Sequence, residues 1–454
     1  MSIFDDIRSR IVDRLADLVL PADYVYRRKV NMGLRAYRNG VQEKQIKVKP
    51  NQSDDNITMN FVGLVIDRSV SMLFGKGITF DYETDAVEEY VNLVWEANRK
   101  ELLLHKIGLT GAEGGTWYVK IIPNGKEYKG DLVTRLVCLD PSLLSIETKE
   151  DDIETVLAYN IIYMVKRDGK DKAFCERTYL NGEQWWVKSG IIKKTDQKGE
   201  IIFETIDKDE PFEYPEVCPI IHGQNLPNIE TVYGDPDVTG DVIEIQDRLN
   251  LVSSNISKII RLHAHPHTIW EGSGSSYNFL DVEPGKMTRI QVGEKIYNVE
   301  MQSDLASSQT YLMTVRQGLF DITRTVDISS MNDKLGALTN FGLRVLYQDS
   351  LSKNETKKQL YGDGLLELNR RLLVIGKKEA DDEGHIEWPD PLPVNEQEAI
   401  TGLAFDIQNG LASKETIAEE RGYIWQNESE KIEAEKSQGD NIGAALLANF
   451  TRGG

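Results

Sequence analysis

With 454 residues, 40% of them apolar and 28% charged, the chain can bury a large core, and about two or three folded domains are expected rather than wholesale disorder. Its formal net charge of −20 argues against a protein that grips nucleic acid through many phosphate contacts, which needs clustered Lys and Arg. An acidic passage along which DNA slides without sticking remains compatible with it, and so does acidity that only keeps a chain soluble. No apolar run approaches the roughly 18–20 residues of a membrane-spanning helix, and residues 1–20 alternate charge too often for a secretion signal. Cys138, Cys175 and Cys218 are odd in number and form no CxxC pair, so they read as reduced, cytosolic thiols.

Charge is unevenly spread. Residues 1–50 hold eleven Lys/Arg against six Asp/Glu and residues 377–440 hold six against seventeen, so one end of the folded object should be acidic. In chain order, Ile3, Ile7, Ile11, Leu15 and Leu18 share a helical face ahead of Pro21. A second helix is expected from Asp23 to about Tyr37, with Gly40 as its stop. Helical spacing returns over Asp55–Phe74, with Ile57, Phe61, Leu64, Val65, Val70 and Leu73 inward, and again over Asp85–His105. From Thr116 to Ile221 the period falls to two. Trp117–Ile122, Leu132–Leu139, Val156–Lys166, Phe174–Leu180, Gln184–Lys188 and Ile201–Ile206 read as antiparallel strands, turned at Asn124-Gly125, Asp168-Gly169 and Asn181-Gly182.

Residues 234–376 follow a different plan. Val242, Ile245, Leu249, Val252, Ile256 and Ile259 draw a seam with alternating steps of three and four, behind a cap expected at Asp241 and answered by Glu244. A second seam runs through Leu305, Ser308, Leu312, Val315, Leu319, Ile322 and Val326. Between the two rods lie stretches with strand character, His267–Trp270, Met287–Val292 and Lys295–Met301, broken by Gly/Ser and Pro-Gly turns. A small loop at Ser329–Gly336 precedes a long helix expected over Leu343–Ile375; one strand (His385–Trp388) and two short helices in 396–425 close the pattern.

Helix, β insertion, helix, loop, long helix resembles the portal protein of tailed double-stranded DNA phages, of the Gp6-like kind. Other segments agree in order. Lys29–Gly40 is similar to the family's early helix ending in an aromatic and Gly. Asn60–Phe80 is similar to its helix, Gly-Lys-Pro and strand signature, although Gly77 stands where Pro is usual. Asp390-Pro391-Leu392-Pro393 and Gly410–Thr416 resemble the late strand and the start of the crown. The resemblance implies an α+β portal fold: an N-terminal α/β wing (1–234), a first stem helix (235–262), a β-rich clip (263–304), a second stem helix (305–327), a tunnel loop (328–341), a long wing helix with a strand (342–395) and a helical crown with its tail (396–454). It further implies a homo-oligomeric ring, taken as a dodecamer, at one capsid vertex, assembled in the host cytoplasm and carried in the virion. Its partners would be the terminase large subunit, a head-completion or adaptor protein, major capsid and scaffold proteins, and double-stranded DNA passing without sequence specificity; no membrane, cofactor or catalysis is implied.

Within that frame Lys258 and Arg261, one turn apart, are expected to touch DNA in the bore, as are Met331, Asn332 and Lys334 of the tunnel loop. His263, His265, His267 and Trp270 fall at the stem-to-clip junction, where partners would dock. Three histidines within five residues also fit a metal-dependent enzyme, although no further ligand or general base is placed beside them. A cytoplasmic coiled-coil scaffold pairing through the 242–259 seam is a third reading. Asp235–Gly240 begins like a calcium loop, but Gln246 occupies the twelfth position, so turn and cap is preferred. Phosphate-loop, GxSxG and HExxH patterns are absent.

Overall fold

The structure, a computed structural model, describes residues 20–48, 50, 53–195, 200–264, 267–271, 295–299, 305–328, 339–378, 383–393, 403, 405–420, 425–426 and 428–432. The helix expected before Pro21, the strand Met287–Val292 and the Ser329–Gly336 loop lie outside them. The fold is α+β. Chain contacts divide it into two units, Met1–Asn332 with Leu346–Pro391, and Asp333–Val345 with Leu392–Gly454.

The first unit opens with α1 (Ala22–Arg38) and α2 (Phe61–Phe74). The helix expected from Asp55 starts a turn and a half late. Asn60 caps it by accepting from Gly63 N, and the backbone donors of Ile57, Met59 and Phe61 are taken by side chains from elsewhere in the chain. Ile57, expected inward, is exposed. Strand β1 (Thr79–Asp81) follows. The helix expected over Asp85–His105 is two, α3 (Asp85–Ala97) and α4 (Lys100–Gly114). Arg99 sits between them at φ 58°, while the Asn98 amide donates to Thr134 O (2.9 Å) and accepts from Leu136 N (3.0 Å). That side chain ties the break to a neighbouring strand, which outweighs helix propensity.

Alternation holds through the β region. β2 (Thr116–Tyr128), β3 (Asp131–Leu139) and β9 (Ile220–Gln224) form a sheet of order β3-β2-β9. β4 (Leu144–Lys149), β5 (Asp152–Arg167), β6 (Lys170–Asn181), β7 (Gln184–Thr195) and β8 (Ile201–Pro211) form a second, meandering sheet. β4 and β9 are additional to the expected strands: both are short, and β9 follows Pro219 directly and contains Gly223, which hides a period of two. Gly115 ends α4 at φ +78°, and an added Cβ would lie 2.1 Å from the carbonyl oxygen of Gly234. Only glycine fits where the two segments cross.

Two helices then rise from the body. α5 (Gly240–Ala264) and α6 (Leu305–Ile322) bracket the antiparallel pair β10 (His267–Glu271) and β11 (Lys295–Val299), which aligns His267 with Val299 and Trp270 with Ile296. Asp241 lies in the first turn of α5 rather than at its cap. α6 stops at Ile322, so Val326 of the expected seam is not helical. α8 (Gln348–Ile375) returns through the core: Leu365, Leu368 and Leu372 are fully buried against α3, α4 and β2, and β12 (His385–Glu387) pairs with β1.

In the second unit α7 (Asn340–Leu346) exposes Phe341 and Val345; α9 (Lys414–Glu420) is capped by Ser413 Oγ, which accepts from Thr416 N (3.0 Å). The long helix expected from Leu343 is thus divided at Tyr347. No helix among the described residues is long and apolar enough to cross a membrane.

Candidate channel and ring-forming elements

At 25 residues and 1.5 Å each, α5 is about 37 Å long, and α6 with 18 residues about 27 Å. Their roots are packed into the body. Val242 and Leu249 of α5 and Leu319 and Phe320 of α6 are buried with Val62, Val65 and Ile66 of α2. Phe61 meets Phe320 edge-on at 5.7 Å, the Arg316 guanidinium lies over both rings, and Arg68 donates to Val326 O at 2.7 Å. The expected seams are therefore used first within one chain, as an α5–α6 pair seated on α2.

The polar flank of α5 is not all open. Gln246, Asn250, Ser253 and Ser254 are buried beneath the extended residues 53–60. Arg261 belongs to this covered side: it donates Nε and an Nη to the Asp55 carboxylate at 2.8 and 2.7 Å, which holds that carboxyl below its usual range. The open side carries Asp241, Glu244, Arg248, Asn255 and Lys258. The acids sit near the root and the bases further out. Lys258 is thus on the exposed face, whereas Arg261, expected beside it, is engaged within the chain.

On α6 the exposed positions include Ser307, Tyr311, Thr314 and Ile322, with Gly318 between them, where an added Cβ would meet nothing within 4 Å. Steps of three and four place these on one stripe. Tyr311 and Ile322 are each half exposed, and Met313 more so. The rods keep apolar surface that no part of the described chain covers.

Beneath α5 lies a buried ionic group. Asp237, fully buried, takes Lys357 Nζ at 2.6 Å and has Lys353 Nζ at 3.0 Å; Lys357 also donates to Ser69 Oγ (2.8 Å). Burial alone would raise the Asp237 carboxyl, but the two ammonium groups hold it well below the carboxylate range. Burial lowers Lys357 to about 8, opposed by Asp237. Asp237, the third residue of the calcium-like stretch, instead fastens α8 and α2 to the connector that leads into α5. Sequence spacing could not show this, because the partners are over 100 residues away.

His263 lies in the last turn of α5, and His267 and Trp270 in β10; His265, Met331, Asn332 and Lys334 lie outside the described residues. Among the described residues no group of three or more His, Cys, Asp or Glu could hold a metal ion. Cys175 and Cys218 are buried free thiols, pushed up to about 12 and about 11 by desolvation.

Residues 19–441 match the family described as phage portal protein, SPP1 Gp6-like. The chain belongs to the phage portal protein family. The portal chain is also similar to a chain in the solved virion of a native gene transfer agent particle, with 11% identity over 87% of this chain and 93% of that one, at a TM-score of 0.44. No curated protein matches it. The family is structural, which leaves the metalloenzyme and coiled-coil scaffold readings without support.

Proposed function

We propose that copies of this portal assemble side by side into a closed ring, of twelve subunits, that forms the DNA channel at one capsid vertex and carries the head-tail connection. Family membership over residues 19–441 supports this reading. The observation that carries it in the structure is the pair of rods whose exposed stripe, Tyr311, Gly318 and Ile322, is left for a neighbour while their roots are fixed in the body. A ring needs two different surfaces per subunit, so each rod pair must keep a free side after its own packing.

Lys258 on the open side of α5 is assigned to the bore, with Met331, Asn332 and Lys334 of the tunnel loop. Arg261 is assigned to holding the stem. The clip, 263–304, with His263, His265, His267 and Trp270, is assigned to docking the terminase large subunit and later an adaptor protein; the crown, 396–454, would face the capsid interior, in contact with capsid and scaffold proteins. The particle would be assembled in the host cytoplasm and retained in the virion. With no catalysis of its own, the ring would draw energy for DNA movement from the motor.

The test is mass. Native mass spectrometry of the purified full chain should give an integral multiple of 51.4 kDa consistent with a closed ring. Dimers alone would favour a scaffold, and monomers at every salt concentration would refute the assembly. For the channel residues, Lys258→Ala and Lys334→Ala should slow packaging while leaving the ring mass unchanged; unaltered packaging removes that residue.

A further inference from the structure

The extended residues 53–60 run along the flank of α5 like a strap and are held by side chains spaced one turn apart. Gln246 Oε1 accepts from Phe61 N (3.2 Å), Asn250 Oδ1 from Met59 N (3.0 Å) and Ser254 Oγ from Ile57 N (2.9 Å). Four helical residues rise about 6 Å and two extended residues about 6.6 Å, so the repeats stay in step over three rungs. Past the last rung, Arg261 and Asp55 close the strap with a paired ionic contact at 2.7–2.8 Å.

Burial along α5 changes character at the middle of this run. Val242 and Leu249 are fully packed against α2 and α6. Beyond Leu249, Leu251, Val252, Ile256 and Ile259 are only partly buried and Ile260 is exposed. The outer half is fastened to the body instead by the Asn250 and Ser254 rungs and by Arg261. Such bonds exchange with water at small net cost, about 1 kcal/mol each, whereas an apolar contact must be exposed to be broken. The strap itself is anchored at its other side: Asn56 both donates to Ile46 O (2.8 Å) and accepts from Ile46 N (2.9 Å), and Asn60 caps α2.

We infer that residues 53–60 are a releasable strap, latched by Asp55–Arg261, which sets the tilt of the outer half of α5 and of the strands it carries, with the pivot at Leu249–Asn250. Opening the latch frees residues 251–264 to swing while the inner half stays seated. The stem is then one rod with two mechanical regimes, apolar and fixed below, polar and adjustable above.

Amide hydrogen exchange on the full-length protein tests this. In Asp55→Asn combined with Ser254→Ala, exchange over 251–264 and at Ile57 should rise about tenfold or more, with 240–249 unchanged. Exchange that rises equally along 240–264, or nowhere, overturns the inference. A second variant guards against simple misfolding: Ile57→Cys with Ser254→Cys should cross-link under oxidation and lower exchange over 251–264 below wild type. Cross-linked protein with unchanged exchange there would show that the strap restrains nothing.

Discussion

Lys357 Nζ lies 2.6 Å from Asp237 Oδ2 with both side chains out of reach of solvent, and the pair joins the long helix α8 to the residues that lead into α5. Removing the anion alone strands two ammonium groups against a dry wall. Asp237→Asn should cost about 3–5 kcal/mol, read as a lower denaturant midpoint, and adding Lys357→Met should recover part of that loss, because an apolar replacement needs no counter-charge. A double variant as unstable as the single one would mean that the carboxylate acts through the backbone geometry of the connector.

The Gly115 crossing is set by contact between backbones. Gly115→Ala places a methyl 2.1 Å from Gly234 O at a positive φ, so a loss of at least about 2 kcal/mol is expected in thermal unfolding. Gly182→Ala makes a fair control, since its φ is also positive but nothing lies within 4 Å, and it should cost clearly less.

His222 is partly buried, with Nδ1 2.8 Å from the Tyr159 hydroxyl, and desolvation, helped by Arg371, lowers it to about 4. The unfolded chain binds this proton near pH 6.5 and the folded one only near 4, so stability should fall as pH drops through that window. The full penalty is ~3 kcal/mol below the lower value. His222→Gln should flatten the stability profile between pH 6.5 and 4; an unchanged slope would assign the effect to other groups.

Exposed apolar positions on α6 should matter for association and little for folding. Tyr311→Glu with Ile322→Glu should leave the unfolding midpoint within about 0.5 kcal/mol of wild type, as substitutions at open sites do. Sedimentation should show the assembled species replaced by single chains. Intact assemblies would move the subunit contact to another face.

The helices α5 and α6, the strands β5–β7 and the apolar face of α8 can be read from apolar period alone, because Val242, Leu249, Leu319 and the β5–β7 alternation follow local rules. What stayed hidden depends on distant partners. Residues 55–60 carry a helical pattern, yet the amides of Ile57 and Met59 bind Ser254 and Asn250, nearly 200 positions away, and the segment stays extended. Arg99 breaks a helix because Asn98 bonds to a strand that follows 36 residues later. Asp237 resembled part of a turn, since nothing near it announces Lys353 and Lys357. For the same reason Lys258 and Arg261 looked equivalent on the helix, although the strap takes one and leaves the other open.

The central claim is that these rods stand side by side with copies of themselves around a hole. Electron microscopy of the purified full-length protein addresses it most directly. The account predicts rings with a central opening, in which Tyr311 and Ile322 lie against the adjacent subunit; a uniform field of compact single particles across protein and salt concentrations would contradict it.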